Sequence, residues 1–169
     1  MKYFFVLIGV VIFIWYYDYK NPIPETEIEN DSRIIFSRYG IKEIREKYGN
    51  IIDEASKKYG VNSNIVVAMI RLESGGDPNA IGSKGEIGLM QLMPGTARDM
   101  GVNNPFNPRD NIFGGTKYLR YLLDIHNGNL DKAIMSYNIG PNGRNVYQGY
   151  AYLRGIKNHY RNIQSGLVF

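Results

Sequence analysis

Residues 72–97 read LESGGDPNAIGSKGEIGLMQLMPGTA, and this stretch decides the fold. It begins at the end of an apolar segment. Ile65, Val66, Met69, Ile70 and Leu72 cover most of a helix circumference, which predicts a buried helix capped at Asn62 or Ser63. Gly75-Gly76-Asp77-Pro78 breaks it. Glu73 is therefore left at the end of a buried helix, facing a loop. Residues 79–88, rich in Gly, Ser and Lys, read as a loop or short hairpin. Pro94 suits a helix start, and Gly101 ends the short helix that follows.

Four further helices surround this stretch or extend it. Ile41, Ile44, Tyr48, Ile51, Ile52, Ala55 and Tyr59 recur at helical spacing, and Gly60 stops them. A long helix over about Arg109 to His126 turns Ile112, Tyr118, Leu119, Leu122 and Leu123 inward. Leu130 to Asn138 forms another, broken by Gly140-Pro141-Asn142-Gly143. The last, about Tyr150 to Ile163, carries Leu153, Ile156, Tyr160 and Ile163. No long alternating strand occurs, so the domain reads as mostly α, with at most a small β-hairpin after the second helix.

The chain has 169 residues, enough for one domain with one core. Hydrophobic residues make up 44% and charged residues 21%, which excludes disorder, collagen and a polytopic membrane protein. With no cysteine, disulfides, a thiolate zinc site, a thiol nucleophile and a lipoprotein anchor are excluded. His126 and His159 alone offer little for metal or Ser-His-Asp chemistry. No metal and no cofactor are expected.

Tyr3 to Tyr17, YFFVLIGVVIFIWYY, is uncharged and ends in interfacial aromatics. It lacks the small residues of a cleavage site and is short for a bilayer span. An uncleaved hydrophobic anchor helix is the favoured reading; a cleaved signal and a buried segment are the alternatives. Either of the first two exports the rest of the chain. The organisation expected is an anchor or signal at 1–20, a linker at 21–40 containing NPIPETEIENDS, and a catalytic domain at 41–169. The first thirty residues carry a net −2, so the remainder holds +6 of the overall +4. That bias suits nucleic acid, anionic lipid or an anionic wall polymer. No nucleic-acid motif is present, and an exported domain would not meet nucleic acid.

A carboxylate between an apolar helix and a glycine loop is a candidate for partial burial. Burial disfavours the charged form and raises the pKa, which makes a general acid available near neutral pH. Cleaving a glycosidic bond requires such an acid at the leaving oxygen. A lone glutamate at a helix end is more often a cap or a surface charge, so its surroundings must decide.

Those surroundings form four blocks in order. They are Glu73-Ser74-Gly75 through Gly88-Leu89-Met90-Gln91-Leu92-Met93-Pro94; Asn107-Pro108 with Asn111-Ile112; Gly114-Gly115-Thr116-Lys117-Tyr118-Leu119; and Ala133 to Pro141, AIMSYNIGP. Together they resemble the lytic transglycosylase catalytic domain of the goose-lysozyme-like family, over about Ile51 to Tyr160. The resemblance implies a lysozyme-like α-helical (α+β) fold. It also implies non-hydrolytic cleavage of the β-1,4 bond between N-acetylmuramic acid and N-acetylglucosamine, giving a 1,6-anhydro product.

In that reading Glu73 is the single acid, then base. Gln91, Met90 and Met93 line the sugar groove. Tyr137 and Asn138 fall on the family's YN pair, the tyrosine hydroxyl near the acid, and Tyr152 stands beside the site. For Met90 and Met93 core packing is the competing reading, and for Asn138 a loop-holding role. Gly82 and Glu86 depart from the family's usual Ser and Ala. The partners implied are peptidoglycan strands and, through residues 3–17, the inner membrane, which places the domain outside the cytoplasm. Wall turnover, a secretion, pilus or flagellar machine, and a phage are all compatible settings. A hydrolytic lysozyme on the same fold and a non-catalytic wall-binding module are the alternatives; intact Glu73 and Gln91 argue against the second.

Overall fold

The protein is described by a computed structural model over residues 32–165, with side chains from residue 40 onward. The chain divides into two compact units, residues 1–35 and 36–169. Apart from the first turn of the first helix, only the second unit is described below. The apolar run at residues 3–17 lies outside the described residues. Among the described residues no helix is long and apolar enough to cross a membrane.

Among the described residues six helices follow in order: α1 Ser32–Tyr59, α2 Ser63–Glu73, α3 Pro94–Met100, α4 Pro108–Ile125, α5 Leu130–Ile139 and α6 Val146–Gln164. Among the described residues, strand structure is limited to isolated antiparallel bridges, Ile81 with Ile87 and Ile87 with Leu92. This is the mostly α fold with a minimal hairpin that the apolar spacing predicts.

Two helix starts differ from expectation. α1 begins at Ser32, so residues 32–40, read as linker, are helical. No proline interrupts them, and Gly40 is tolerated because it admits a neighbour: a Cβ there would stand 2.7 Å from Arg71 Nε. α6 begins at Val146, where the Asn145 side chain accepts from the Gln148 N–H and caps the helix.

α2 is the centre of the core. Ile65 through Ile70 are all buried. α6 packs on α2 and on α5, α5 on α4, and α4 on α3. Ile41, Ile44, Tyr48, Ile52 and Ala55 of α1 join the same cluster. Burying this helix on every side is what the unbroken apolar run from Ile65 to Ile70 requires. It also carries Glu73 to the edge of the core, where the chain must turn.

Candidate active site

Glu73 is the last residue of α2 and is mostly buried. The Tyr152 hydroxyl, from α6, donates to Glu73 Oε1 at 2.5 Å. Burial raises the Glu73 pKa from 4.5 to about 7; the Tyr152 bond pulls it down, and the charge of Glu86 pushes it up. The carboxyl is thus poised to exist in both forms near neutrality. The phenols of Tyr152 and Tyr137 are held well above their ordinary range by burial and by the Glu73 charge, so both remain hydrogen-bond donors.

The loop facing Glu73 has almost no ladder of its own, yet it is held at several points. Ser74 Oγ donates to the Leu89 carbonyl at 2.9 Å, tying the end of α2 to the loop. The Tyr137 hydroxyl, from α5, donates to the Met90 carbonyl at 3.0 Å. Asn111, wholly buried on α4, does most. Its Oδ1 accepts from the Met90 N–H at 2.8 Å, and its Nδ2 donates to the Ile87 and Pro105 carbonyls at 2.9 and 2.8 Å. Gly88 makes this approach possible: its φ is +78°, and a Cβ there would stand 2.3 Å from the Pro105 carbonyl oxygen.

The expected site residues separate into groups. Tyr152, rather than Tyr137, bonds the Glu73 carboxyl; Tyr137 reaches the loop backbone one step away. Gln91 lies in a turn with φ +47°, and its Nε2 is taken by the Ala80 and Gly88 carbonyls at 3.2 and 2.9 Å. The reading of Met90 as a cleft-lining side chain is corrected. That side chain is wholly buried, and a Cβ on Gly115 would stand 2.5 Å from its sulfur. Its backbone, not its thioether, serves the loop. Met93 is 42% exposed, and Asn138 is exposed near the end of α5. Neither is brought to Glu73 by a hydrogen bond among the described residues.

Two contributors escaped the residue-by-residue reading. In the sequence Asn111 reads only as part of an Asn-Ile block, and Ser74 only as the neighbour of Glu73. Neither has a local signal, because both partners lie far along the chain. No group of acidic or histidine side chains able to hold a metal occurs among the described residues. A cavity of about 300 Å³ lined by Tyr59, Val102, Phe113 and Gly114 includes none of the expected site residues.

The arrangement supplies one proton donor and acceptor with a tunable carboxyl, set against a rigid loop. The profile of the transglycosylase SLT domain matches residues 50–160, which contain every one of these groups. The chain belongs to the transglycosylase SLT domain family. Curated relatives of this SLT domain include the "Transglycosylase" of Enterobacteria phage PRD1, 39% identical over 56% of this chain and 35% of that protein. The "Membrane-bound lytic murein transglycosylase F 1" of Alkalilimnicola ehrlichii is 33% identical over 56% of this chain and 20% of that one. The SLT domain chain thus spans about a third or less of the curated relatives' lengths it matches.

Solved structures agree on the fold. An inactive mutant of the lytic transglycosylase Slt of Pseudomonas aeruginosa superposes with TM-score 0.63 at 24% identity, covering 72% of this chain and 25% of that one. The 70-kDa soluble lytic transglycosylase of Escherichia coli gives 0.65 at 22%, covering 73% and 26%. At these identities the likeness establishes the lytic transglycosylase fold alone.

Tyr152→Phe separates the two influences on Glu73. Removing the hydroxyl removes the bond that lowers the carboxyl pKa. The alkaline limb of the activity profile is expected to move to higher pH, with a loss of roughly threefold to tenfold at the optimum from poorer aim of the acid. A limb that moved to lower pH would contradict this account of the bond.

Proposed function

We propose that the chain cleaves the peptidoglycan glycan strand between N-acetylmuramic acid and N-acetylglucosamine without adding water, with Glu73 acting alone as acid and then base. The observation that carries this reading is the desolvated Glu73 carboxyl, raised to about 7 at the end of α2 and bonded by Tyr152. In the first stage the carboxyl gives its proton to the glycosidic oxygen, and the bond from that oxygen to the muramic C1 breaks. The muramic acetamido group stabilises the positive centre. In the second stage the Glu73 carboxylate takes the proton of the muramic 6-hydroxyl, whose oxygen closes onto C1. Atoms balance with no water consumed, and Glu73 ends protonated as it began.

Family membership and the names of the relatives support the activity class. The loop held by Ser74, Asn111 and Tyr137 supports it as well, with Gln91 and the exposed Met93 as its candidate groove residues. Asn138, exposed near the end of α5, is a further candidate sugar contact in this reading. The +6 on residues 31–169 suits a polymer bearing lactyl and peptide carboxylates. Export and tethering by residues 3–17 belong to the same reading.

The full chain, solubilised in detergent, is to be incubated with purified peptidoglycan and the products weighed by mass spectrometry. The expected muropeptides are each one water lighter than the hydrolysed form. Reducing-end products alone would replace this reading with a hydrolytic lysozyme. Binding without cleavage would leave only a wall-binding module.

A further inference from the structure

The hairpin beside Glu73 carries a second carboxylate that the proposed reaction does not use. Glu86 is partly buried, and its Oε2 accepts from the Lys84 N–H at 2.9 Å. The Gly82 N–H donates to the Glu86 carbonyl at 2.8 Å, closing the turn that brings the two residues together. The carboxylate comes to rest over Gly82. A Cβ built on Gly82 would stand 2.4 Å from Glu86 Oε2 and 2.7 Å from Gln91 Oε1, far inside van der Waals contact.

Gly82 is not one of the glycines with a left-handed backbone. Its lack of a side chain therefore serves space rather than conformation. Gln91 is pinned through Nε2 by two carbonyls, which turns its Oε1 toward the same space. Two oxygens, one of them charged, thus fill the volume that any side chain at position 82 would need.

We propose that Glu86 is a positioning residue of this site: a fixed anion, admitted by the bare Gly82 and held by the Lys84 amide, that acts on the reaction through Glu73. The inference rests on Glu73 as the acid of the proposed function. Two side chains act on Glu73, Tyr152 on α6 and Glu86 on the hairpin, while Tyr137 on α5 feels the Glu73 charge in turn. Of these only Glu86 is a carboxylate. Its negative charge opposes loss of the Glu73 proton, in the same sense as burial and against the Tyr152 bond. In the second stage the same charge makes the Glu73 carboxylate a stronger base.

The test is the pH profile of wall cleavage by the full chain in detergent, for wild type, Glu86→Gln, Gly82→Ala and the double variant. Glu86→Gln is expected to move the alkaline limb to lower pH, lowering activity at about pH 8 relative to about pH 5.5 on the order of threefold. Gly82→Ala keeps the carboxylate but displaces it, because both crowding atoms are ends of flexible side chains. It is expected to shift the limb in the same direction. Added to Glu86→Gln, it is expected to shift the limb no further.

Limbs that stay in place in both single variants overturn the proposal. So does a Gly82→Ala shift of equal size in the Glu86→Gln background. If Glu86→Gln fails to fold, as read by its melting curve, Gly82→Ala alone decides. A wild-type chain inert toward the wall would remove the proposed function and this inference together. An active wild type with unmoved variants would remove this inference alone.

Discussion

Glu73→Gln is expected to slow wall cleavage by about 10²–10⁴-fold, the range for losing a general acid or base. The amide has nearly the shape of the carboxyl, so binding to the glycan survives. Linkage gives a second readout with a definite sign. The folded carboxyl is raised from 4.5 to about 7, so between these values the folded state holds a proton that the unfolded chain has released. Stability from this group is fully present below about 4.5 and is lost as pH rises toward about 7.

Glutamine does not titrate. The variant is therefore expected to melt above the wild type at pH 8, by a margin that closes toward pH 4.5. Loss of activity with a raised melting temperature separates chemistry from misfolding. More than about a tenth of wild-type activity in Glu73→Gln would remove it from the role of acid.

Asn111→Leu is expected to have the largest effect on stability. Asn111 is wholly buried, and its amide is the partner of the Met90 N–H and of the Ile87 and Pro105 carbonyls. Leucine fits the volume roughly but offers none of these bonds. The Ile87 carbonyl keeps the Leu92 N–H, so two groups are orphaned, and at about 1–3 kcal/mol each they place the cost at about 2–6 kcal/mol. The denaturation midpoint is expected to fall accordingly, and cleavage with it, since Met90 carries the loop that faces Glu73. A loss below about 1 kcal/mol would mean that the loop is held by other contacts.

Helices were legible wherever their apolar faces repeat. The run from Ile65 to Ile70 announces a buried helix, and the Gly-Gly-Asp-Pro break announces its end, so the place of Glu73 follows from local patterns alone. The start of α1 was not legible, because the residues after Ser32 carry no breaker and no cap that stands out from the acidic stretch before them. Met90 shows a different limit. A methionine in a glycine-rich loop reads equally well as groove or core, and only the close approach of Gly115 decides for core. Gln91 was singled out by resemblance, but its left-handed backbone has no signature in a residue type that seldom adopts it. Asn111 and Ser74 act through partners 21 and 15 residues away, a distance at which neighbours in sequence say nothing.

The bond from Tyr152 to Glu73 joins residues 79 positions apart. Part of the surroundings of the glutamate is therefore translated long after the glutamate itself. A nascent chain that ends before α6 has the carboxylate but neither the burial that raises its pKa nor the Tyr152 bond that tempers the rise. Contacts of such long sequence separation must first overcome the entropy of closing a long loop, so the site is whole only once α6 has docked. In a domain arranged in this way the setting of Glu73 is complete only when the last helix has closed on the core.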